Sequence, residues 1–149
     1  LLRALESEDA HEPLLAEIQG NLDAVEHPAL AETKTAVEAA TADLGAAMAA
    51  LASEDGEYAQ LQAKELADLV FDVYTAALLC AEGQTEIEDD DDARTAVVAE
   101  RFVDRHLRES GGDRGIADGD RFALEQFDTV VRYASVDPET LVDSPPADD

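Results

Sequence analysis

Between Tyr58 and Gly83, the residues Leu66, Leu69, Val70, Val73, Tyr74, Ala77, Leu78 and Ala81 recur at steps of three and four. With 3.6 residues per turn, that spacing puts them along one side of an α-helix. A helix with so wide an apolar stripe draws its stability from burying the stripe against other helices, because propensity alone gives little. The rest of the chain therefore has to supply helical partners. No cluster of reactive groups accompanies the stretch, so the spacing points to packing and not to catalysis.

Partners are legible on both sides. Leu14, Leu15, Ile18, Leu22 and Val25 follow helical spacing after Pro13, which suits a first helical turn, and predict a short helix near residues 13–25. His27-Pro28 breaks it, since the residue before proline is pushed out of the helical region. Leu30, Val37, Leu44 and Leu51 then repeat every seven residues beside Thr33, Ala40 and Ala47, predicting a long helix over roughly 29–53. This narrow seam could face the bundle core or a partner helix, and the helix that follows, with a complementary face, favours the core. Ser53-Glu54-Asp55-Gly56 is a short connection, so the third helix returns antiparallel. Its wide stripe places it at the bundle centre, with Glu65, Asp68 and Asp72 toward solvent or a neighbour and Gly83 as its stop.

The acidic run Glu86 to Asp92 reads as the start of a fourth helix carrying Ala93, Val97, Phe102 and His106, because the macrodipole favours acid at an N-terminus. Arg101, Arg105 and Arg108 gather toward its other end, and Gly111-Gly112 ends it. After the glycine-rich loop to Gly119, Asp120 caps a fifth helix with an apolar stripe of Phe122, Phe127, Val130, Val131 and Ala134. No strand-like alternation appears. The expected fold is all-α: an up-and-down antiparallel helical bundle of about four helices plus a short N-terminal helix, one domain over residues 1–149, with residues 1–12 and 137–149 as flexible ends.

Of the 149 residues, 10 are Lys or Arg and 36 are Asp or Glu, a formal charge of -26. Carboxylates spread over every segment suggest an adaptation of the whole protein to a salt-loving organism's cytosol, where ions screen their repulsion. No cationic stripe exists to meet phosphate, and no basic segment to meet an anionic bilayer, so neither nucleic acid nor membrane is an expected partner. The apolar runs fall short of the roughly 20 residues that span a bilayer, and the expected location is cytoplasmic. Cys80 is the single cysteine, on the apolar side of the third helix, and reads as a buried, inert thiol. The chain starts at Leu1 with helix-like sequence close behind, which suggests a piece of a larger protein.

Possible sites of chemistry reduce to surface features. Asp89 to Asp92 and Asp113 to Asp120 lack the alternating ligands, sixth-position glycine and twelfth-position glutamate of an EF-hand, so weak cation binding to a solvated face is the reading. His11, His27 and His106 are scattered, without the paired Glu-x-x-His motifs of a carboxylate-metal bundle. Glu65, Asp68 and Asp72 read as surface acids. Gly111 to Gly115 reads as a connector, and no dinucleotide, nucleotide or hydrolase signature occurs. No residue is assigned a catalytic, cofactor-binding or metal-binding role.

The order of features resembles the C-terminal helical extension of very-long-chain-type acyl-CoA dehydrogenases. The matching pieces are His27-Pro28-Ala29-Leu30 at a helix start, Leu66-Ala67-Asp68-Leu69-Val70-Phe71-Asp72-Val73-Tyr74, the apolar Thr75 to Cys80, the Ala81-Glu82-Gly83 stop, and a following helix rich in Ala, Arg and acid. They cover roughly residues 27–109. The resemblance implies a parent enzyme that oxidises acyl-CoA thioesters with FAD, whose flavin and catalytic glutamate belong to an upstream core with no counterpart here. It implies an architectural role for this piece, packing on that core or at subunit contacts, with a homo-oligomer as one outcome. Membrane-associated members use a basic amphipathic segment between two of these helices, whereas here Ser53-Glu54-Asp55-Gly56-Glu57 is short and acidic.

Overall fold

The computed structural model describes residues 11–53, 56–108 and 120–142. They form seven α-helices and one short 3-10 helix, with no strand among them: α1 (His11–Asp23), the 3-10 turn (Pro28–Leu30), α2 (Ala31–Ser53), α3 (Gly56–Asp90), α4 (Arg94–His106), α5 (Phe122–Glu125), α6 (Phe127–Arg132) and α7 (Pro138–Val142). The all-α bundle is thus the fold, and α3, at 35 residues, is its axis. The helices alternate in direction. Glu17 of α1 meets Tyr74, while the backbone after α1 meets Gln84, so α1 runs parallel to α3. Leu30, ahead of α2, lies against Gly83, whereas Ala47 and Leu51 near the end of α2 lie beside Tyr58 and Leu66. Arg94 at the start of α4 reaches Glu86, and His106 at its end reaches Asp72. Both α2 and α4 therefore run opposite to α3.

The core is the predicted one through its middle. Ile18 and Leu22 of α1, Val37 and Leu44 of α2, Val73, Ala77 and Cys80 of α3, and Val97 of α4 are all buried, while on α4 Val103 takes the inward place expected of Phe102, which is partly buried, and His106 is exposed. Four helices close around this core, but their membership differs from the expectation. The short first helix is one of the four, and the predicted fifth helix is not.

Three boundaries are corrected. Gly83 does not stop α3, which runs on to Asp90. Gly83 is buried, and a Cβ there would stand 3.2 Å from the backbone nitrogen of Ala96, 3.4 Å from its Cα and 3.5 Å from Leu30 Cδ2. The glycine serves close approach of α3 and α4, not termination. The acidic run is accordingly the end of α3 and not the start of α4. Its acids still find a helix N-terminus, since Glu86 accepts a 2.7 Å hydrogen bond from Thr95 N and pairs with Arg94 at 3.3 Å. Asp91, at φ 54°, turns the chain, and Asp92 Oδ1 accepts from Arg94 N. Finally, residues 120–134 form two short helices broken at Gln126, with Phe127, Val130 and Val131 exposed. Asp120 does cap as predicted, accepting from Phe122 N at 2.9 Å. The expected Gly111-Gly112 stop lies outside the described residues.

The first part of the expected C-terminal flexible end is also packed. Pro138 is buried, Leu141 is packed against the core, and α7 lies on the 3-10 turn. Asp92 holds this segment. Its Oδ1 accepts from Val136 N at 2.8 Å, and Val136 O accepts from Ala93 N at 2.7 Å. Burial raises the Asp92 pKa, but the hydrogen bonds from Val136 and Arg94 outweigh it and hold the carboxyl below its ordinary 3.8. Its contribution is therefore complete above the ordinary carboxylate range and disappears as pH falls through the lowered value. Asp92→Ala is expected to destabilise by about 1 kcal/mol, the usual effect of losing a capping carboxylate. Amide exchange at Ala93 and Val136 should accelerate more than exchange at Val73. Equal acceleration everywhere would contradict a local clasp.

Candidate docking surface

The residues singled out as possible chemistry do not converge. Asp72 accepts from or pairs with His106 Nδ1 at 3.1 Å, and His106 stacks on Phe102 with ring centroids 4.2 Å apart, which fastens the end of α4 to α3. Asp68 pairs with Lys64 on the outer side, and Glu65 lines a shallow groove between α2 and α3. His27 caps the 3-10 turn, its Nδ1 accepting from Ala29 N, and His11 begins α1. Among the described residues, no group of three or more His, Cys, Asp or Glu is placed to hold a metal ion. No described helix is long and apolar enough to cross a membrane. Cys80 is fully buried, and burial pushes its thiol up to about 11, so at neutral pH it is protonated and shielded.

One polar side chain that the sequence reading passed over has a structural task. Gln84 Oε1 accepts from Glu26 N at 2.9 Å and His27 N at 2.8 Å, while its Nε2 donates to Glu88 at 2.5 Å. Buried polar atoms require partners, and here the free N-H groups between α1 and α2 supply them. The available signal was its position one turn after Cys80 on the apolar side of α3. Lys34 Nζ adds a bond to Val25 O at 3.0 Å, so the turn is held from two helices.

The surface that stands out is the segment crossing the outside of α4. It is anchored by polar contacts: Arg101 pairs with Asp120 at 2.7 Å and lies 4.5 Å over Phe122, and Arg94 lies 5.3 Å over Tyr133. Held in this way, α5 and α6 turn their apolar residues outward. Leu124 is 67 % and Val131 57 % exposed, with Phe127 and Val130 between them. Leu124 precedes the break at Gln126 and Phe127, Val130 and Val131 follow it, so the two short helices together present four exposed apolar side chains within eight residues. An exposed apolar row rimmed by charge is the usual mark of a protein contact. Comparison of the chain with protein-family models, with curated proteins and with solved structures gives no match.

Proposed function

We propose that this chain is a non-catalytic helical docking domain that meets a protein partner through α5 and α6. The observation that carries the reading is the outward row Leu124, Phe127, Val130 and Val131, held in place from behind by Arg101 and Asp120. Large side chains such as these contribute most when a partner removes them from water, roughly 1.5 to 3 kcal/mol each on full burial. The helix order along residues 27–109 supports a parent of the acyl-CoA dehydrogenase type, in which the partner is the upstream FAD-binding catalytic core. One piece of that resemblance, the stop at Gly83, lies inside α3 instead. A free-standing interaction module uses the same surface and is the second reading.

The two readings part on the complete open reading frame. If the parent is a flavoenzyme, its purified product shows the visible absorbance of bound flavin, and the present chain alone is colourless. A colourless full-length product, or a start codon immediately ahead of Leu1, would remove the enzyme reading and leave the module. For docking itself, Leu124→Asp with Val131→Asp should weaken binding to the adjoining core tenfold or more while helical ellipticity is kept. Unchanged binding would remove this surface from the reading.

A further inference from the structure

Residues 120–142 lie on the bundle without entering it. Of these, Thr129 and Pro138 are buried, Phe122, Gln126, Val136 and Leu141 are half-buried, and the rest are exposed. Burial of an apolar face is what fixes most helices in place, and this stretch has little of it. Its position depends instead on two carboxylates, one near each end. At the first, Asp120 Oδ2 accepts from Arg101 of α4 at 2.7 Å and its Oδ1 from Phe122 N at 2.9 Å, while the same Arg101 lies over the Phe122 ring. At the second, Asp92 Oδ1 accepts from Val136 N, and Ala93 N donates to Val136 O.

Between the anchors the chain is continuous in its own hydrogen bonds. Gln126 N donates to Phe122 O, Val130 N to Gln126 O and Ala134 N to Asp128 O, so a displacement at one end is carried to the other. Tyr133 turns the corner at φ 59°, a left-handed conformation that a residue with a large side chain adopts only under constraint. That strain opposes attachment and is relieved when the ends let go. Among the described residues, Arg101 and Arg105 of α4 face Asp120, and Arg94 faces Asp92 while pairing with Glu86 of α3. Hydrogen bonds from Phe122 N and Arg101 hold the Asp120 carboxyl below its ordinary 3.8. At Asp92 burial works upward, and the bonds from Val136 and Arg94 prevail. Both anchors are therefore complete above the ordinary carboxylate range and are lost as pH falls through the lowered values.

We propose that residues 120–142 are a strap that lifts from the bundle as one piece, its two carboxylate anchors coupled so that freeing either end frees the other while the four helices stay packed. Lifting uncovers the 3-10 turn, on which α7 rests, and the turn between α3 and α4. The proposal makes no use of what the α5–α6 row binds. Amide exchange of the full chain at pH 7 in molar KCl, read by NMR, tests it, because the rate at a hydrogen-bonded amide follows the opening that exposes it. Asp120→Ala removes both bonds of the first anchor. It should speed exchange at Ala93 and Val136, which belong to the second anchor, at least tenfold, and leave Val73 and Cys80 as in the parent. Asp68→Ala, which removes a carboxylate from the outer side of α3, should change none of the four. Coupling between two sites is reciprocal, so one direction suffices. Ala93 and Val136 rates that stay at the parent's values in Asp120→Ala overturn the proposal, since the anchors then open separately. So do rates that rise equally at Val73, since the segment then leaves only when the whole bundle unfolds, or an Asp68→Ala protein that matches Asp120→Ala.

Discussion

Gly83→Leu is expected to lower the unfolding free energy by about 3 kcal/mol or more, the upper range for overpacking a tight core. The added carbons have nowhere to go. The first of them meets the Ala96 backbone, and backbone on a packed helix does not swing aside as a side-chain end does. α3 and α4 have to separate along a layer built from Ala76, Ala77, Ala93, Ala96 and Ala99, all buried. For a chain of this length the melting temperature should fall by roughly 10 °C. Gly83→Ala sets two opposed effects of similar size against each other, crowding and a gain of about 1 kcal/mol in helix propensity, and should be close to neutral. Gly20→Ala and Gly45→Ala meet nothing within 4 Å and should stabilise by several tenths of a kcal/mol. If Gly83→Leu melts with the parent, the close approach of α3 and α4 is not what holds the bundle.

The second large effect is that of salt. At low ionic strength the chain is expected to lose much of its helical ellipticity, and to regain it as KCl approaches molar concentration. The formal charge is -26, because 36 acidic side chains face only 10 Lys and Arg. The screening length falls from about 10 Å at 0.1 M to about 3 Å at 1 M, so repulsion between neighbouring helix faces fades within that interval. A gain of a few kcal/mol, or roughly 10 °C in melting temperature, should accompany it. Ellipticity and melting temperature that stay flat from dilute buffer to molar KCl would show that the carboxylates do not strain the fold.

The sequence reading succeeded where burial alone decides structure. Leu30, Val37 and Leu44 lie in the core because a seven-residue repeat keeps one side of a helix facing inward, and Val73, Ala77 and Cys80 follow for the same reason. It failed where two local signals competed. Gly83 has the form of a helix stop, yet the contact with Ala96 uses the missing side chain and α3 continues. Glu86 belongs at a helix N-terminus on electrostatic grounds, and it occupies one, but that terminus is α4's and the acid reaches it from the end of α3. Along 120–134 the apolar spacing suggested inward burial. Arg101 and Arg94 instead hold Phe122 and Tyr133 from the bundle side, and the other large side chains face out. Leu78, counted in the central stripe, also faces out, since it sits away from Val73, Ala77 and Cys80 around the helix. The α5–α6 surface was thus present as a pattern, and only tertiary contacts reveal which way it points.

Cys80 gives the molecule a clock of its own. It carries the chain's single sulfhydryl, sits where α3 is enclosed, and keeps its proton well above neutral pH. An alkylating reagent therefore reacts only in moments when the rods part, and the labelling rate counts those moments without any engineered probe. Because this residue lies where four helices pack, the count excludes fraying at the helix ends and reads separation of the core alone.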